Sequence, residues 1–162
     1  MAARRPRAAG RPLRVYVDTS VFGGVHDQEF RAPSERFFAA VRGGAFTVLV
    51  SEALVVEISS APAVVQATFE AHRAQMEALE TTAEAAALAE AYLAAGVVPA
   101  ASRVDALHVA LASAAHADAL VSWNFKHLVQ LSRIRGFHAV NVLHGYPLVE
   151  IRSPLEVTDD EA

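Results

Sequence analysis

Three acidic residues and one asparagine have positions that suit metal-dependent chemistry. Asp18 ends the apolar run at 15–17, and Glu57 lies just beyond a second apolar run. Asp105 precedes a third such run and Asn124 follows it. Brought together, these carboxylates would repel one another unless a cation neutralised them. Hard oxygen ligands without sulfur favour Mg²⁺ or Mn²⁺, and such a site is well suited to phosphodiester hydrolysis.

Each of these residues also has a plain structural interpretation. Asp18 could cap the helix that follows it, and Asn124 could cap a short helix of its own. Glu57 could be a solvated helix residue. Asp105 stands three positions after Ser102, which is the spacing of a capping box. Each alternative is sufficient for its own residue, and it is the joint occurrence of the four residues in this order that favours a site.

The elements that would position these residues alternate along the chain. Strands are predicted at 15–17, 46–50, 119–122 and 139–142, with an edge strand near 148–151 and a brief one near 79–80. Helices are predicted at 34–42, 52–59, 62–79, 81–96, 102–117 and, for a turn or two, 124–131. A loop is predicted from 22 to 33, because Gly23 and Gly24 break regular structure. Alternating strands and helices predict an α/β fold with a parallel sheet, in which all four residues lie at the carboxyl edge of the strands.

Composition narrows the class of protein. The chain has 162 residues, of which 53% are apolar and 20% charged, and this is typical of a globular domain with its own core. The absence of cysteine excludes disulfides, zinc–thiolate sites and a cysteine nucleophile. A net charge of −4 does not mark a nucleic-acid binder, although charge can be local. No segment suggests a membrane span or a signal peptide, so a cytoplasmic protein is expected.

The domain boundaries follow from the ends of the chain. We expect residues 1–12 to form a flexible arginine-rich arm, 13–157 the folded domain, and 158–162 a disordered acidic tail. Within the domain there is no phosphate-binding loop, dinucleotide fingerprint, zinc-protease motif or serine-hydrolase elbow. An aspartyl phosphotransferase would need a second acid where Ser20 stands. The seven histidines show no tight metal-ligand spacing.

Several longer stretches resemble those of a known family. They are V-Y-V-D-T-S-V-F-G-G (15–24), V-S-E-A-L-V-V-E-I (50–58), D-A-L-H-V-A-L-A (105–112), A-L-V-S-W-N-F-K-H-L (119–128), V-N-V-L-H-G-Y (140–146) and I-R-S-P-L-E-V (151–157). Through them the chain resembles the PIN-domain proteins, and within these the VapC-like ribonucleases of type II toxin–antitoxin pairs. The D-A-L-H-V-A-L-A and S-W-N-F-K-H stretches are specific, whereas D-T-S alone is weak.

The resemblance implies a PIN-like three-layer fold, with a central, mostly parallel sheet flanked by helices. It implies a metal-dependent endoribonuclease that acts on single-stranded RNA with Mg²⁺ or Mn²⁺. The toxins that the chain resembles are inhibited by a protein antitoxin and often form homodimers, so the resemblance implies both an antitoxin partner and a homodimer. The family's four-acid site falls on Asp18, Glu57, Asp105 and position 124. Asn124 departs from the Asp that is common there, and this puts a second metal ion in doubt.

Other residues have expected supporting roles. Ser122 and Thr19 are candidate hydrogen-bond donors to the carboxylates. His108 is a candidate phosphate contact, against the stronger alternative of a packed helix residue. Trp123 could stack on a base or simply pack. Five basic residues could line a phosphate track: Arg11, Arg14, Arg31, Arg36 and Lys126.

Two other functions stay open at this stage. One is a catalytically degenerate PIN scaffold that binds a protein or RNA partner, which the Asn124 departure motivates. The other is an acid-nucleophile phosphatase, in which Asp18 would attack the substrate and form a covalent phospho-Asp18.

Overall fold

Five parallel strands form the centre of the molecule in the computed structural model, which describes residues 10–158. The strands are β1 (Leu13–Val17), β2 (Phe46–Ser51), β3 (Met76–Leu79), β4 (Ala119–Val121) and β5 (Glu150–Arg152). Their order in the sheet is β3-β2-β1-β4-β5, and every neighbouring pair is parallel. The central position of β1 follows from its composition, because apolar and β-branched side chains suit a strand that is covered on both faces.

Eight α-helices cover the two faces of this sheet within the described residues. They are α1 (Thr19–Gly24), α2 (Arg31–Arg42), α3 (Glu52–Ser59), α4 (Ala63–Ala71), α5 (Ala83–Ala94), α6 (Arg103–Ala114), α7 (Leu131–Leu143) and α8 (Pro154–Thr158). Tyr16 packs into a core with α5, α6 and α7, whereas its neighbours Val15 and Val17 pack into a second core with α1 to α4. Successive strand residues point to opposite faces, so the sheet separates two apolar layers. The predicted three-layer α/β fold is confirmed.

Two helices begin at a residue whose side-chain hydroxyl caps them. The Ser51 hydroxyl accepts a hydrogen bond from the Leu54 amide at 3.2 Å and begins α3, and the Thr82 hydroxyl accepts one from the Ala85 amide at 3.1 Å and begins α5. These bonds satisfy backbone donors that have no partner within the helix. Since Ser51 is also the last residue of β2, the cap places α3 directly at the carboxyl edge of the sheet.

The strand predicted at 139–142 is wrong, because this segment is the last part of α7. A strand would turn Val140 and Val142 to the same face. In the structure Val140 is 6% exposed and Val142 is 68% exposed. Phe137, Val140 and Asn141 are buried together, as expected for a helix with one inward face.

The loop predicted from 22 to 33 is also wrong at both ends. The helix α1 occupies 19–24, and α2 begins at Arg31 rather than at Ser34. Gly24 does not break α1. Because it has no side chain, Ser34 and Trp123 can pack close to the backbone of this helix. A Cβ atom at this position would lie 2.5 Å from the Ser34 hydroxyl oxygen and 2.7 Å from the Trp123 indole nitrogen.

Two other elements are shorter than predicted. The helix expected at 62–79 ends at Ala71, and the last of its residues form β3, which pairs with β2. The helical turns expected at 124–131 are reduced to one hydrogen-bonded turn, in which the Leu128 amide donates to the Asn124 carbonyl at 3.1 Å, before α7 begins. The helix predicted at 102–117 is α6, and β5 lies where the edge strand was expected.

The predicted arm and tail lie largely outside the described residues. Residues 10–12 are exposed and have no regular structure, and α8 reaches Thr158. Within 10–158, no helix is long and apolar enough to span a bilayer.

Candidate metal centre

Asp18 lies where β1 ends, at the centre of the carboxyl edge. It occupies the N-cap position of α1, but its side chain makes no capping hydrogen bond. Its Oδ2 atom accepts hydrogen bonds from the Ser20 hydroxyl at 2.7 Å and the Ser122 hydroxyl at 2.8 Å. Asp18 is only 6% exposed. The capping alternative is therefore not what this side chain does, and two hydroxyl groups hold its carboxylate in one orientation.

The same two serines connect Asp18 to the segment after β4. Ser20 Oγ accepts a hydrogen bond from the Trp123 amide at 2.9 Å, and Ser122 Oγ accepts one from the Asn124 amide, also at 2.9 Å. Each hydroxyl thus accepts from the backbone and donates to the carboxylate. The predicted role of Ser122 is confirmed. That of Thr19 is wrong, because its buried hydroxyl has no partner among the described residues and Ser20 takes the place expected for it.

Asp105 is half-buried in the first turn of α6 and faces the same site. Burial raises the pKa of its carboxyl above the ordinary value, and the negative charges of Asp18 and, more weakly, Glu57 raise it further. The nearby His108 and His127 oppose this rise. Ser102 makes no side-chain capping bond, so the capping-box alternative for Asp105 loses its partner. A carboxylate whose charged form is disfavoured by burial and by the negative charge of Asp18 marks a site to which a cation would be attracted.

Glu57 reaches the site from the second turn of α3. Its Oε1 atom is hydrogen-bonded to Nε2 of His108, and 37% of its side chain is exposed. His108 itself is fully buried, with its Nδ1 atom 2.6 Å from the Tyr16 hydroxyl oxygen. His108 is therefore a packed residue of α6, as the stronger of its two sequence alternatives stated. Its contact with Glu57 was not anticipated.

Asn124 is joined to the site through its backbone, while its side chain stabilises the following turn. Its Oδ1 atom accepts hydrogen bonds from the amides of Lys126 at 3.2 Å and His127 at 3.0 Å. This is an Asx turn, which asparagine and aspartate both favour. The side-chain oxygen that would ligate a metal ion is thus already used by two backbone donors.

The donor set fits a hard divalent cation held mainly by water. Within residues 10–158, no three His, Asp or Glu side chains are close enough together to form a ready-made metal cage. Mg²⁺, however, is commonly bound through one or two carboxylates and keeps several of its waters. Asp18 and Asp105 supply such a pair, with Glu57 close enough for its charge to act on Asp105.

The sequence of this chain matches a known protein family over most of its length. Residues 14–126 match the pattern of the PIN domain. The chain belongs to the PIN-domain family. The match includes all four candidate site residues.

The fold of this PIN domain is similar to that of a solved structure. A chain in the crystal structure of VapBC2 from Rickettsia felis bound to a DNA fragment from their promoter shares 13% sequence identity with it. The similarity covers 87% of this chain and 98% of that chain, with a TM-score of 0.55. At this level of identity the likeness concerns the fold. No curated protein matches the sequence.

Trp123 of this PIN domain packs beside the candidate metal centre rather than extending into solvent. Trp123 is 6% exposed, stacks on Phe30 with 4.3 Å between ring centroids, and donates its indole N–H to Ser34 Oγ at 2.9 Å. It is a packing residue, so the base-stacking alternative does not hold for it. Phe125, which is 48% exposed, is the accessible ring of this segment.

The basic residues of the expected phosphate track are not all available. Arg14 is engaged by Glu77, which accepts two of its guanidinium N–H groups at 2.7 and 3.1 Å, and by the Ala115 carbonyl. It therefore joins β1 to β3 and α6. Lys126 remains exposed in the turn after Asn124.

An apolar groove borders the site on the side of Glu57. It has a volume of about 410 Å³ and runs between α3 and α6. Val56 and Val104, on its two sides, are 59% and 47% exposed. Glu57 lines this groove, and its charge also acts on Asp105, so it lies between the groove and the other carboxylates.

Proposed function

We propose that this PIN domain is a metal-dependent endoribonuclease that hydrolyses phosphodiester bonds of single-stranded RNA with Mg²⁺ or Mn²⁺. The observation that carries the proposal is the pairing of Asp18 and Asp105 at the carboxyl edge, where burial and mutual repulsion raise the Asp105 pKa. Such a pair is costly without a cation, and the family to which the chain belongs contains nucleases.

The residues of the site have separate tasks in this proposal. Asp18 and Asp105 hold the cation, and Glu57 contributes the carboxylate oxygen that His108 leaves free. Asn124 orients a water or a phosphate oxygen through its amide N–H groups, since its oxygen is used within the turn. When bound, the cation would lower the pKa of a coordinated water and offset charge on the phosphate. Ser20 and Ser122 keep the Asp18 carboxylate in place.

We also propose that the protein is the toxin of a type II toxin–antitoxin pair in the cytoplasm. The VapC-like motifs and the fold shared with VapBC2 support this assignment. An antitoxin segment with apolar side chains would fit the groove between α3 and α6, where it would also cover Glu57.

A homodimer is part of the same proposal. Val142 and Leu143 at the end of α7 are 68% and 81% exposed, and Leu148 beyond them is 54% exposed. Adjoining exposed apolar side chains are a common feature of surfaces that associate. Light scattering during size-exclusion chromatography would report the mass directly, and a monomer at all concentrations would contradict a dimer.

Cleavage of a mixed single-stranded RNA pool tests the nuclease. The purified protein is incubated with Mg²⁺, Mn²⁺ or EDTA, beside the variants Asp105→Asn and Asp27→Asn. Asp27 is a matched control because it is exposed. Its Oδ1 atom accepts a hydrogen bond from the Glu29 amide, and the side-chain oxygen of asparagine can accept the same bond. We expect cleavage that needs the metal, disappears in Asp105→Asn and persists in Asp27→Asn. If the wild-type protein cleaved no RNA with either metal, the proposed nuclease function would be contradicted.

A catalytically degenerate scaffold is the second candidate function. It is favoured by Asn124, whose oxygen is used by the backbone, and by the lack of a three-ligand cage within residues 10–158. Such a protein would bind RNA or a protein partner without cleaving it. Titration with Mn²⁺ separates the two functions, because the scaffold would bind no metal at the Asp18–Asp105 pair.

A further inference from the structure

A chain of buried hydrogen bonds begins and ends on α3. The Leu54 amide in the first turn of α3 donates to Ser51 Oγ, which lies 2.6 Å from the Tyr16 hydroxyl oxygen. The Tyr16 hydroxyl is 2.6 Å from Nδ1 of His108, and Nε2 of His108 contacts Glu57 in the second turn of α3. Ser51, Tyr16 and His108 are all at most 2% exposed. Water is thus excluded from the hydrogen bonds in the middle of this series.

The donors and acceptors of these hydrogen bonds are all paired in only one direction. If every hydroxyl donates towards Glu57, Ser51 donates to Tyr16, Tyr16 donates to Nδ1, and the Nε2–H group donates to the carboxylate. Every group is then satisfied.

The opposite direction leaves a buried group without a partner. If Nδ1 carried a proton, it would donate to the Tyr16 oxygen, and Tyr16 would donate to Ser51. The Ser51 oxygen would then accept from both Tyr16 and Leu54, and its own proton would have no described acceptor. Buried hydroxyls without a partner are rare because each costs free energy.

We propose that His108 is a positioning residue that acts as the Nε2–H tautomer and fixes the Glu57 carboxylate. The tautomer is set by Tyr16 and Ser51, and Ser51 also caps the helix that carries Glu57. One carboxylate oxygen is therefore occupied, and the other is directed to the candidate metal centre. This inference rests on the proposed function, because it assigns Glu57 a task at the metal site.

The tautomer can be read without any metal or substrate. Two-bond ¹H–¹⁵N correlation spectra of the full chain in EDTA distinguish Nε2–H from Nδ1–H imidazoles, and His108→Gln identifies the signal. We expect the His108 ring to be the Nε2–H tautomer, and Tyr16→Phe to change its ¹⁵N shifts because Nδ1 loses its donor. An Nδ1–H tautomer, or shifts that Tyr16→Phe leaves unchanged, would overturn the proposal.

Mn²⁺ affinity, measured by calorimetry, tests the consequence for the metal site. His108→Leu removes the donor to Glu57, whereas His108→Gln keeps an N–H donor at a similar reach. We expect His108→Leu to weaken Mn²⁺ binding by about 10–100-fold, the usual effect of losing a group that orients a ligand. His108→Gln should restore most of the affinity.

A control and a replacement variant separate misfolding from the proposed role. His72 is also a buried histidine, but it contacts Arg42 and the Thr68 carbonyl, so His72→Leu should keep the wild-type Mn²⁺ affinity. Should His108→Leu fail to fold, Tyr16→Phe takes its place, with an expected smaller loss of affinity.

The outcomes distinguish failure of the His108 role from failure of the metal site. Wild-type affinity in His108→Leu and Tyr16→Phe, together with loss of binding in Asp18→Asn, would overturn the positioning role and leave the metal site intact. If the wild-type protein bound no Mn²⁺, the proposed nuclease function would be contradicted. The role of Glu57 at a metal ion would then be contradicted as well.

Discussion

Replacing Ser122 by alanine probes the hydrogen bonds that hold Asp18. The Ser122 hydroxyl is fully buried, donates to Asp18 Oδ2 at 2.8 Å and accepts from the Asn124 amide at 2.9 Å. A hydrogen bond to a charged group contributes about 1.5–3 kcal/mol, and an orphaned buried amide costs about 1–3 kcal/mol. Ser20 remains as a second donor to Asp18, so we expect a total loss of about 3 kcal/mol, towards the lower end of the sum.

This loss is large enough to measure by unfolding. For a domain of this size it corresponds to a decrease of about 6–12 °C in Tm. Urea denaturation followed by circular dichroism at pH 7, with EDTA present, gives the free energy of unfolding directly.

The matched control is Ser59→Ala. The Ser59 hydroxyl also donates one hydrogen bond, to the Val56 carbonyl, but it is exposed, so its loss should change the free energy of unfolding by less than about 0.5 kcal/mol. If Ser122→Ala unfolded at the same urea concentration as the wild type, the reasoning about Asp18 would be refuted.

Three other predictions concern the same edge of the sheet. Because burial and neighbouring charge raise the Asp105 pKa, ionisation of this carboxyl destabilises the metal-free fold. Asp105→Asn should therefore unfold at higher urea than the wild type at pH 7, with the difference vanishing below the ordinary pKa of 3.8. Gly24→Ala should lose about 1–3 kcal/mol of stability, since the new methyl group meets Trp123, while Gly23→Ala, with open space, should lose none. Asn124→Ala should lose about 1 kcal/mol through its turn, as measured by thermal unfolding, and Asn124→Asp should not.

Much of the fold could be predicted because its signals are local. The apolar run that ends at Asp18 and the alternation of strands with helices indicate a parallel sheet without any knowledge of contacts. The failures have a common cause. The segment 139–142 has the composition of a strand, but it is helical because Phe137, Val140 and Asn141 bury one face together. Gly24 has the composition of a break, but it is required by the packing of Trp123 and Ser34 on α1.

The sequence by itself determined that Asp18, Glu57, Asp105 and Asn124 would stand at the carboxyl edge. Parallel strands joined by helices bring their carboxyl ends to one side, whatever the side chains do there. Tertiary structure alone decided how each side chain is used. Ser122 and Asp18 are 104 residues apart in sequence, and His108 and Glu57 are 51 apart. Which groups meet across such separations depends on how α3 and α6 pack on the sheet and which rotamers that packing allows, and no local pattern of residues encodes it.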